Sequence, residues 1–407
     1  MKRLRRVSVF FVVFLLAQGV FSFGGQGAFG EETELEKQRE ESLSSSSSKQ
    51  AEGSSWPEVS AAAAVVMDEA TGRILYEKNG GEKRYMASTT KIMTCLLALE
   101  QIEDPKEQVT VSGYAASQEG SSIYMEEGEQ LSVEDLIYAL MLRSGNDAAV
   151  ALAEWAAGSQ EAFVERMNER ARQMGAEDTH FVNASGLHDK DHYTTARDLA
   201  LIAREAMKHP DFQRVVKTRE WTAVRERGQE VFENKNKTLY QYEGATGIKI
   251  GYTQDAGRCL AAASEREGIR LICVVLDGDD WFEDAYRLMD AAYESYDTVA
   301  LFKEGQPLRR ISVEGGETEK ICLCLREDLL VALTRQERGQ IKLCYDFPER
   351  VKAPLSRGQV LGKMTVYIHD APVGSFDLIC REDVEAEKNE KGFSLEMIRS
   401  IHEFLPF

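Results

Sequence analysis

Three short segments of this 407-residue chain place residues at spacings suited to nucleophilic chemistry. In Ala87-Ser88-Thr89-Thr90-Lys91 a serine opens an apolar helical stretch, and a lysine follows one turn later on the same face. A serine hydroxyl is a weak nucleophile without an adjacent base. A lysine serves as that base when burial and neighbouring positive charge depress its pKa. The start of a helix adds free N–H groups and a dipole that favour a developing oxyanion. Alone, the spacing reads equally as an N-capping serine followed by a surface lysine. Ser144-Gly145-Asn146 follows a predicted helix and precedes Asp147. Its hydroxyl can relay a proton and its amide can hold a substrate amide, though the tripeptide also suits an ordinary helix–helix turn. Lys249-Ile250-Gly251 lies within the strand-like run Gly247–Tyr252. The lysine supplies positive potential over a pocket, and the glycine lets a substrate backbone approach the strand. The bland reading is a solvent-facing lysine on an edge strand.

A second cluster, His188-Asp189-Lys190-Asp191-His192, has two histidines four apart with carboxylates between them. Metal sites need ligands held on a rigid element. This stretch follows Asn183-Ala184-Ser185-Gly186-Leu187 and has loop character, so no metal or other cofactor is expected.

The elements that must position these residues follow from the apolar pattern. Ala62–Met67 and Arg73–Tyr76 flank the turn-rich Asp68–Gly72 as a hairpin. Lys91–Gln101 reads as an apolar helix. Ser132 with Asp135 resembles a capping box opening a helix through Leu142, and further helices cover Asp147–Ala157 and Glu161–Met174. Thr195 with Asp198 caps a helix ending before Pro210. Gly247–Tyr252, Leu260–Ser264 and Arg270–Leu276 form an antiparallel meander, followed by a helix over Phe282–Tyr293. After about Thr298 short alternating strands (Arg309–Val313, Glu319–Leu325, Gln340–Tyr345, Gln359–Ile368, Gly374–Leu378) suggest a small β-sandwich.

A net charge of −19 makes a poor match to nucleic acid, whose phosphates would repel it, and no nucleic-acid partner is expected. Residues 1–30 hold Lys2, Arg3, Arg5 and Arg6 and no acid, so the remainder is more acidic still. Lys2–Arg6, the apolar Val7–Phe23 and the small-residue pattern Ala28-Phe29-Gly30 read as a cleavable export signal. The alternative is an uncleaved anchor, for which an apolar run broken by Gln18 and Gly19 is short. An extracytoplasmic location on the outer side of the cytoplasmic membrane follows. Glu31–Ser55 has almost no large apolar residues and reads as a flexible tether, giving a linker over 31–56. The seven cysteines show no C-x-x-C pair and read as free thiols. In the tail, 383–407, Phe393, Met397, Ile401 and Phe404 recur at helical spacing without a basic face, allowing only weak contact with a membrane surface.

Together, the order and spacing of Ser88-x-x-Lys91, Ser144-x-Asn146 and Lys249-x-Gly251 resemble the motif set of penicillin-binding proteins and serine β-lactamases. The flanking residues from about 58 to 380 narrow the resemblance to the low-molecular-mass serine D-alanyl-D-alanine carboxypeptidases, close to clostridial and sporulation-type members. The resemblance implies an α/β (α+β) transpeptidase-like domain over 57–298, with helices around an antiparallel sheet, and a small all-β domain over 299–382. It also implies removal of the terminal D-alanine from peptidoglycan stem peptides through an acyl-enzyme, with inhibition by β-lactam antibiotics. Ser88 would be the nucleophile, Lys91 the base and Ser144 the proton relay. Asn146, Lys249, Gly251 and Tyr252 would bind substrate, the backbone N–H groups of Ser88 and Tyr252 forming the oxyanion hole. Two departures stand out: Ile250 occupies the family's Thr position, and Asp277–Asp284 has no basic residue. They motivate an alternative in which the protein binds peptidoglycan with little turnover. A serine β-lactamase is a further alternative, but its E-x-x-L-N stretch is missing between Asp147 and Gly186.

Overall fold

The computed structural model describes residues 56–387 and, ahead of them, the two-residue strand Phe11–Val12. The rest of the expected export signal, the tether up to Ser55 and the tail from residue 388 lie outside the described residues.

Five antiparallel strands form the central sheet: β1 (Ala63–Asp68), β2 (Ile74–Lys78), β3 (Ala245–Thr253), β4 (Gly257–Arg266) and β5 (Ile269–Leu276). Their spatial order is β2-β1-β5-β4-β3, which leaves β3 at an edge. The β1–β2 hairpin and the β3–β4–β5 meander match the turn signals in the sequence. Alternation along β5 explains the layering. Ile272, Val274 and Leu276 join the large core built with the helices α1 (Lys91–Gln101), α2 (Asn146–Ala157) and α3 (Ala196–Met207). Leu271, Cys273 and Val275 face the opposite way, against Leu288, Met289 and Ala292 of α4 (Trp281–Ser295). With both faces covered, β5 is an almost continuous hydrophobic run. Helix α1 is buried on several sides (Ile92, Met93, Cys95, Leu96, Ala98, Leu99), as its uninterrupted apolar sequence requires.

The expected caps are present: Ser132 Oγ accepts from Asp135 N–H at 3.1 Å, and Thr195 Oγ1 accepts from Asp198 N–H at 3.0 Å. Three local features depart from the sequence reading. The helix opened by Ser132 stays α-helical only to Tyr138 and then widens to a π turn over Ala139–Arg143. Pro210 does follow the end of α3, yet it also opens a new helix, Pro210–Lys217, because its fixed φ and missing N–H suit a first helical position. A hairpin of Glu220–Arg225 with Gly228–Glu233 is additional to the expected elements, since Glu-Trp-Thr-Ala-Val-Arg has no clean apolar alternation.

Six further strands form a mixed sheet, with Phe11–Val12 paired at its edge. Their order is Ile341–Asp346, Val360–Ile368, Ala371–Cys380, Lys320–Cys324, Arg309–Glu314, Arg350–Lys352. A separate pair, Asp297–Phe302 with Leu329–Leu333, packs with it around Leu323, Leu343, Met364, Val366 and Leu378. The five strands expected here are found; Asp297–Phe302, Leu329–Leu333 and Arg350–Lys352 are additional. The Arg73 guanidinium on the loop before β2 pairs with Glu337 and donates to Ala332 O at 3.3 Å, joining the two halves. All seven cysteines are free thiols.

The hairpin's anchor is testable. Arg225 is buried and forks onto Glu129 through two 2.7 Å hydrogen bonds, while its Nη1 reaches Ile123 O at 2.7 Å. Burial pushes the Glu129 carboxyl up, but Arg225, helped by the Glu126 N–H and Arg227, outweighs it and holds the group below its usual range. Arg225→Ala strands Glu129, so a loss of about 3–5 kcal/mol in urea unfolding at pH 7 is expected. A carboxyl held low contributes stability above its unfolded pKa and loses it as pH falls through the folded value. The gap between parent and variant should therefore narrow under acid conditions; a gap independent of pH would contradict the pairing.

Candidate active site

The strongest constraint at the site is a lysine without a carboxylate. Lys91 opens α1 fully buried, and its Nζ lies 3.0 Å from Ser88 Oγ, 2.8 Å from Asn146 Oδ1 and 2.5 Å from Ser185 O. Burial first, and then the charge of Lys249, push its pKa well below the ordinary lysine range. A neutral amine has two N–H donors and one lone pair. Ser185 O is a backbone carbonyl and can only accept. Asn146 Oδ1 is likewise an acceptor, because the other end of that amide donates to Glu119 O at 2.5 Å. Both N–H groups are thereby committed, and the lone pair is left for the Ser88 hydroxyl proton. The neutral form thus has the hydrogen-bond polarity of a general base.

Each partner is held by an element whose local shape serves it. Ser88 lies in a 3₁₀ turn, Ala87–Thr90, that leads into α1. Ala87 sits at φ +46°, a region non-glycine residues rarely occupy and one common at functional sites. The π turn ends at Ser144, itself left-handed at φ +63°, with its N–H bonded to Ala139 O. The extra residue in that turn re-aims the chain, so α2 begins with Asn146 facing Lys91. Ser144 Oγ is buried and, among the described residues, without a hydrogen-bond partner. The buried Asp147 was not anticipated as a site residue. Its carboxylate accepts from Ser122 Oγ at 2.6 Å and from the N–H groups of Ile123 and Met125 at 3.1 and 3.2 Å. It thereby pins the loop whose Glu119 and Ser121 carbonyls fix Asn146.

Edge strand β3 closes the other side. A register shift between Ala245 and Gly247 marks a bulge just before Lys249, a feature common beside active sites. Lys249 is buried and pushed down to about 7 by burial, with the Lys235 charge adding to it. A Cβ on Gly251 would stand 2.8 Å from the Ser88 nitrogen, so only glycine lets β3 pass this close to the Ser88 N–H. Tyr252 follows on the exposed edge, its ring 64% exposed. Ile250 is half-buried and packs with the cluster containing Tyr242, Leu260 and Trp281. By strand alternation it faces away from Lys249 and Gly251.

The two histidines considered for a metal diverge. His188 stands edge-on to Tyr85, with ring centroids 4.7 Å apart, while His192 is buried against Thr90. Lys235, which no motif flagged, donates its backbone N–H to Leu142 O at 3.3 Å beside Arg143 and Ser144, and its charge acts on both Lys91 and Lys249. The Asp277–Asp284 stretch is approached by basic groups from elsewhere: Arg258 Nη1 donates to Asp279 O at 2.8 Å, and Arg84 lies 3.9 Å from Asp277.

Known proteins resemble this chain in sequence and fold. The model of the family described as D-alanyl-D-alanine carboxypeptidase matches residues 49–280, and that of the penicillin-binding protein 5 C-terminal domain matches residues 296–386. The chain is 31% identical to the D-alanyl-D-alanine carboxypeptidase DacF of Bacillus subtilis over 85% of its own length and 90% of that protein's. It is 32% identical to DacC of Escherichia coli over 81% and 85%. Penicillin-binding protein 5 of Haemophilus influenzae superposes with a TM-score of 0.66 at 28% identity, covering 82% of this chain and all of that one.

Lys235 offers a test of the electrostatics. Lys235→Gln removes a cation, so Lys91 and Lys249 hold their protons to higher pH. With Lys91 as the proton acceptor in acylation, the acid limb of the rate of acylation by a β-lactam is expected to move to higher pH. A limb that stays in place, or moves to lower pH, would show that Lys235 does not tune the pair.

Proposed function

The chain belongs to the family of serine-type D-alanyl-D-alanine carboxypeptidases, and on that premise we propose that Ser88 is the nucleophile that releases terminal D-alanine from peptidoglycan stem peptides. The observation that carries this assignment is the contact of Ser88 Oγ with a buried Lys91 amine whose other two partners only accept.

In this reading Ser88 Oγ attacks the penultimate D-alanyl carbonyl as its proton passes to Lys91. The N–H groups of Ser88 and Tyr252 stabilise the oxyanion. Ser144, whose buried hydroxyl has a free acceptor and donor, carries a proton to the leaving amine, the C–N bond breaks and D-alanine departs. Water then attacks the ester and restores Ser88. Asn146 holds the acyl-side amide of the substrate. Lys249 supplies the charge for the terminal carboxylate, and a bound anion favours its protonated form. This leaves carboxylate recognition resting on Lys249 rather than on residue 250, whose side chain belongs to the packed face of the sheet. The intact Ser88–Lys91–Asn146 chain argues against the reading in which peptidoglycan is bound with little turnover. β-Lactams enter by the same attack and stall as the acyl-enzyme.

The chemistry acts on the cell wall, and the N-terminal residues support export by a cleaved signal over 1–30, with 31–56 as a tether to the catalytic domain. Among the described residues no helix is long and apolar enough to cross a membrane.

Intact-mass and peptide mass spectrometry after exposure to benzylpenicillin should place one adduct on Ser88. Ser88→Ala should lose both the adduct and D-alanine release from a pentapeptide while unfolding at the parent's temperature. An adduct retained in that variant would reject the assignment.

A further inference from the structure

We propose that His192 is a positioning residue for the nucleophile, acting through a one-way hydrogen-bond relay, His192–Thr90–Ala87 carbonyl, that holds the strained backbone from which Ser88 projects. The inference rests on the reading of Ser88 as nucleophile.

The direction of the relay follows from its two ends. His192 Nδ1 accepts from the Val182 backbone N–H at 3.0 Å, so that nitrogen carries no proton. The proton of the neutral ring is therefore on Nε2, which lies 2.7 Å from Thr90 Oγ1 and donates to it. The Thr90 hydroxyl in turn donates to Ala87 O at 2.8 Å, and a carbonyl can only accept. No member can reverse without leaving two donors or two acceptors face to face. The ring is 3% exposed and edge-on to Phe181. Burial pushes its pKa down to about 4 against the pull of Asp189, so the neutral form is the working one.

The carbonyl at the far end is the one whose orientation matters. Ala87 stands at φ +46°, directly before Ser88, and that conformation persists only where its surroundings enforce it. Two groups do so. Gly186 lies so close that a Cβ there would be 2.0 Å from Ala87 O. Thr90 Oγ1 supplies the hydrogen bond. Rotation of the Ala87–Ser88 peptide would carry Ser88 Oγ away from Lys91 Nζ, 3.0 Å distant, and its N–H away from β3. The same loop, Phe181–His192, also presents Ser185 O to Lys91, so His192 ties nucleophile and base to one support.

Asparagine and glutamine separate the two ring nitrogens. An asparagine oxygen reproduces the Nδ1 acceptor, and a glutamine amide reaches the Nε2 position. The experiment measures the benzylpenicillin acylation rate constant and the preceding dissociation constant by stopped flow for the parent and for His192→Gln, His192→Asn and His192→Ala, with Tm for each. The relay predicts that Gln keeps the acylation rate constant within about threefold, while Asn and Ala lose roughly 10–100-fold, with little change in the dissociation constant. Asn should nonetheless be no less thermostable than Gln, since it keeps the Val182 contact. Thr90→Val should fall like His192→Ala, and the double variant should be no slower than the slower single one. Rates that simply follow Tm, a Gln variant as slow as Ala, or losses that multiply in the double variant would overturn the proposal. If His192→Ala does not fold, the comparison of Gln with Asn decides alone. An adduct on Ser88 with unaffected variant rates rejects the relay only; an adduct elsewhere in the parent rejects the serine assignment and the relay with it.

Discussion

A lysine amine buried with no acid to hold its charge is the constraint on which the rest of the site depends. Moving an ammonium into such a place is expensive, and a buried group escapes that cost by giving up its proton. Asp147 is near enough to favour the charged form, but its oxygens are already occupied by the Ser122 hydroxyl and the N–H groups of Ile123 and Met125. Lys249 and Lys235 act in the opposite sense. Burial and the two lysines together weaken the amine's hold on its proton, the direction that a general base requires. Its hydrogen-bond polarity comes from two oxygens on different segments, Asn146 and Ser185, each fixed by its own surroundings.

Holding those segments together requires backbone that the chain would not choose by itself. Ala87 and Ser144 both take left-handed φ values, and each such residue costs of order 1–3 kcal/mol. Gly186 and Gly251 are places where any Cβ would meet the backbone of residues 87–89 at 2.0–3.0 Å. The strain is countered by packing nearby: helix α1 is enclosed by apolar side chains, and the sheet is covered on both faces. A stable core thus carries a locally unfavourable turn at the point from which Ser88 projects.

Much of this was legible in the sequence, for identifiable reasons. The meander β3–β4–β5 and helix α1 announce themselves because buried strands and helices leave long apolar runs. Ser88, Lys91, Ser144, Asn146 and Lys249 are recognisable because their order and spacing resemble a family motif set, and the structure brings Ser88 and Asn146 within hydrogen-bonding distance of Lys91. The π turn is not legible, since one extra residue in a helix leaves no compositional trace. Asp147 and His192 escape for another reason: their partners are the backbone N–H of Ile123 and the side-chain hydroxyl of Thr90, on segments about 25 and 100 residues away. Ile250 is instructive in a different way. As a motif position it reads as a lost hydroxyl; in the fold its side chain packs on the opposite face of the sheet from Lys249.

The central claim is that Lys91 is a neutral amine in the resting enzyme. It is tested most directly by following the Lys91 side chain through a pH titration by NMR in protein labelled at lysine, with the signal assigned by its loss in Lys91→Arg. The account predicts the chemical shifts of a neutral amine at pH values far below those at which exposed lysines of the same protein titrate. A Lys91 signal that remains that of an ammonium up to the ordinary lysine range, near 10.5, would contradict it.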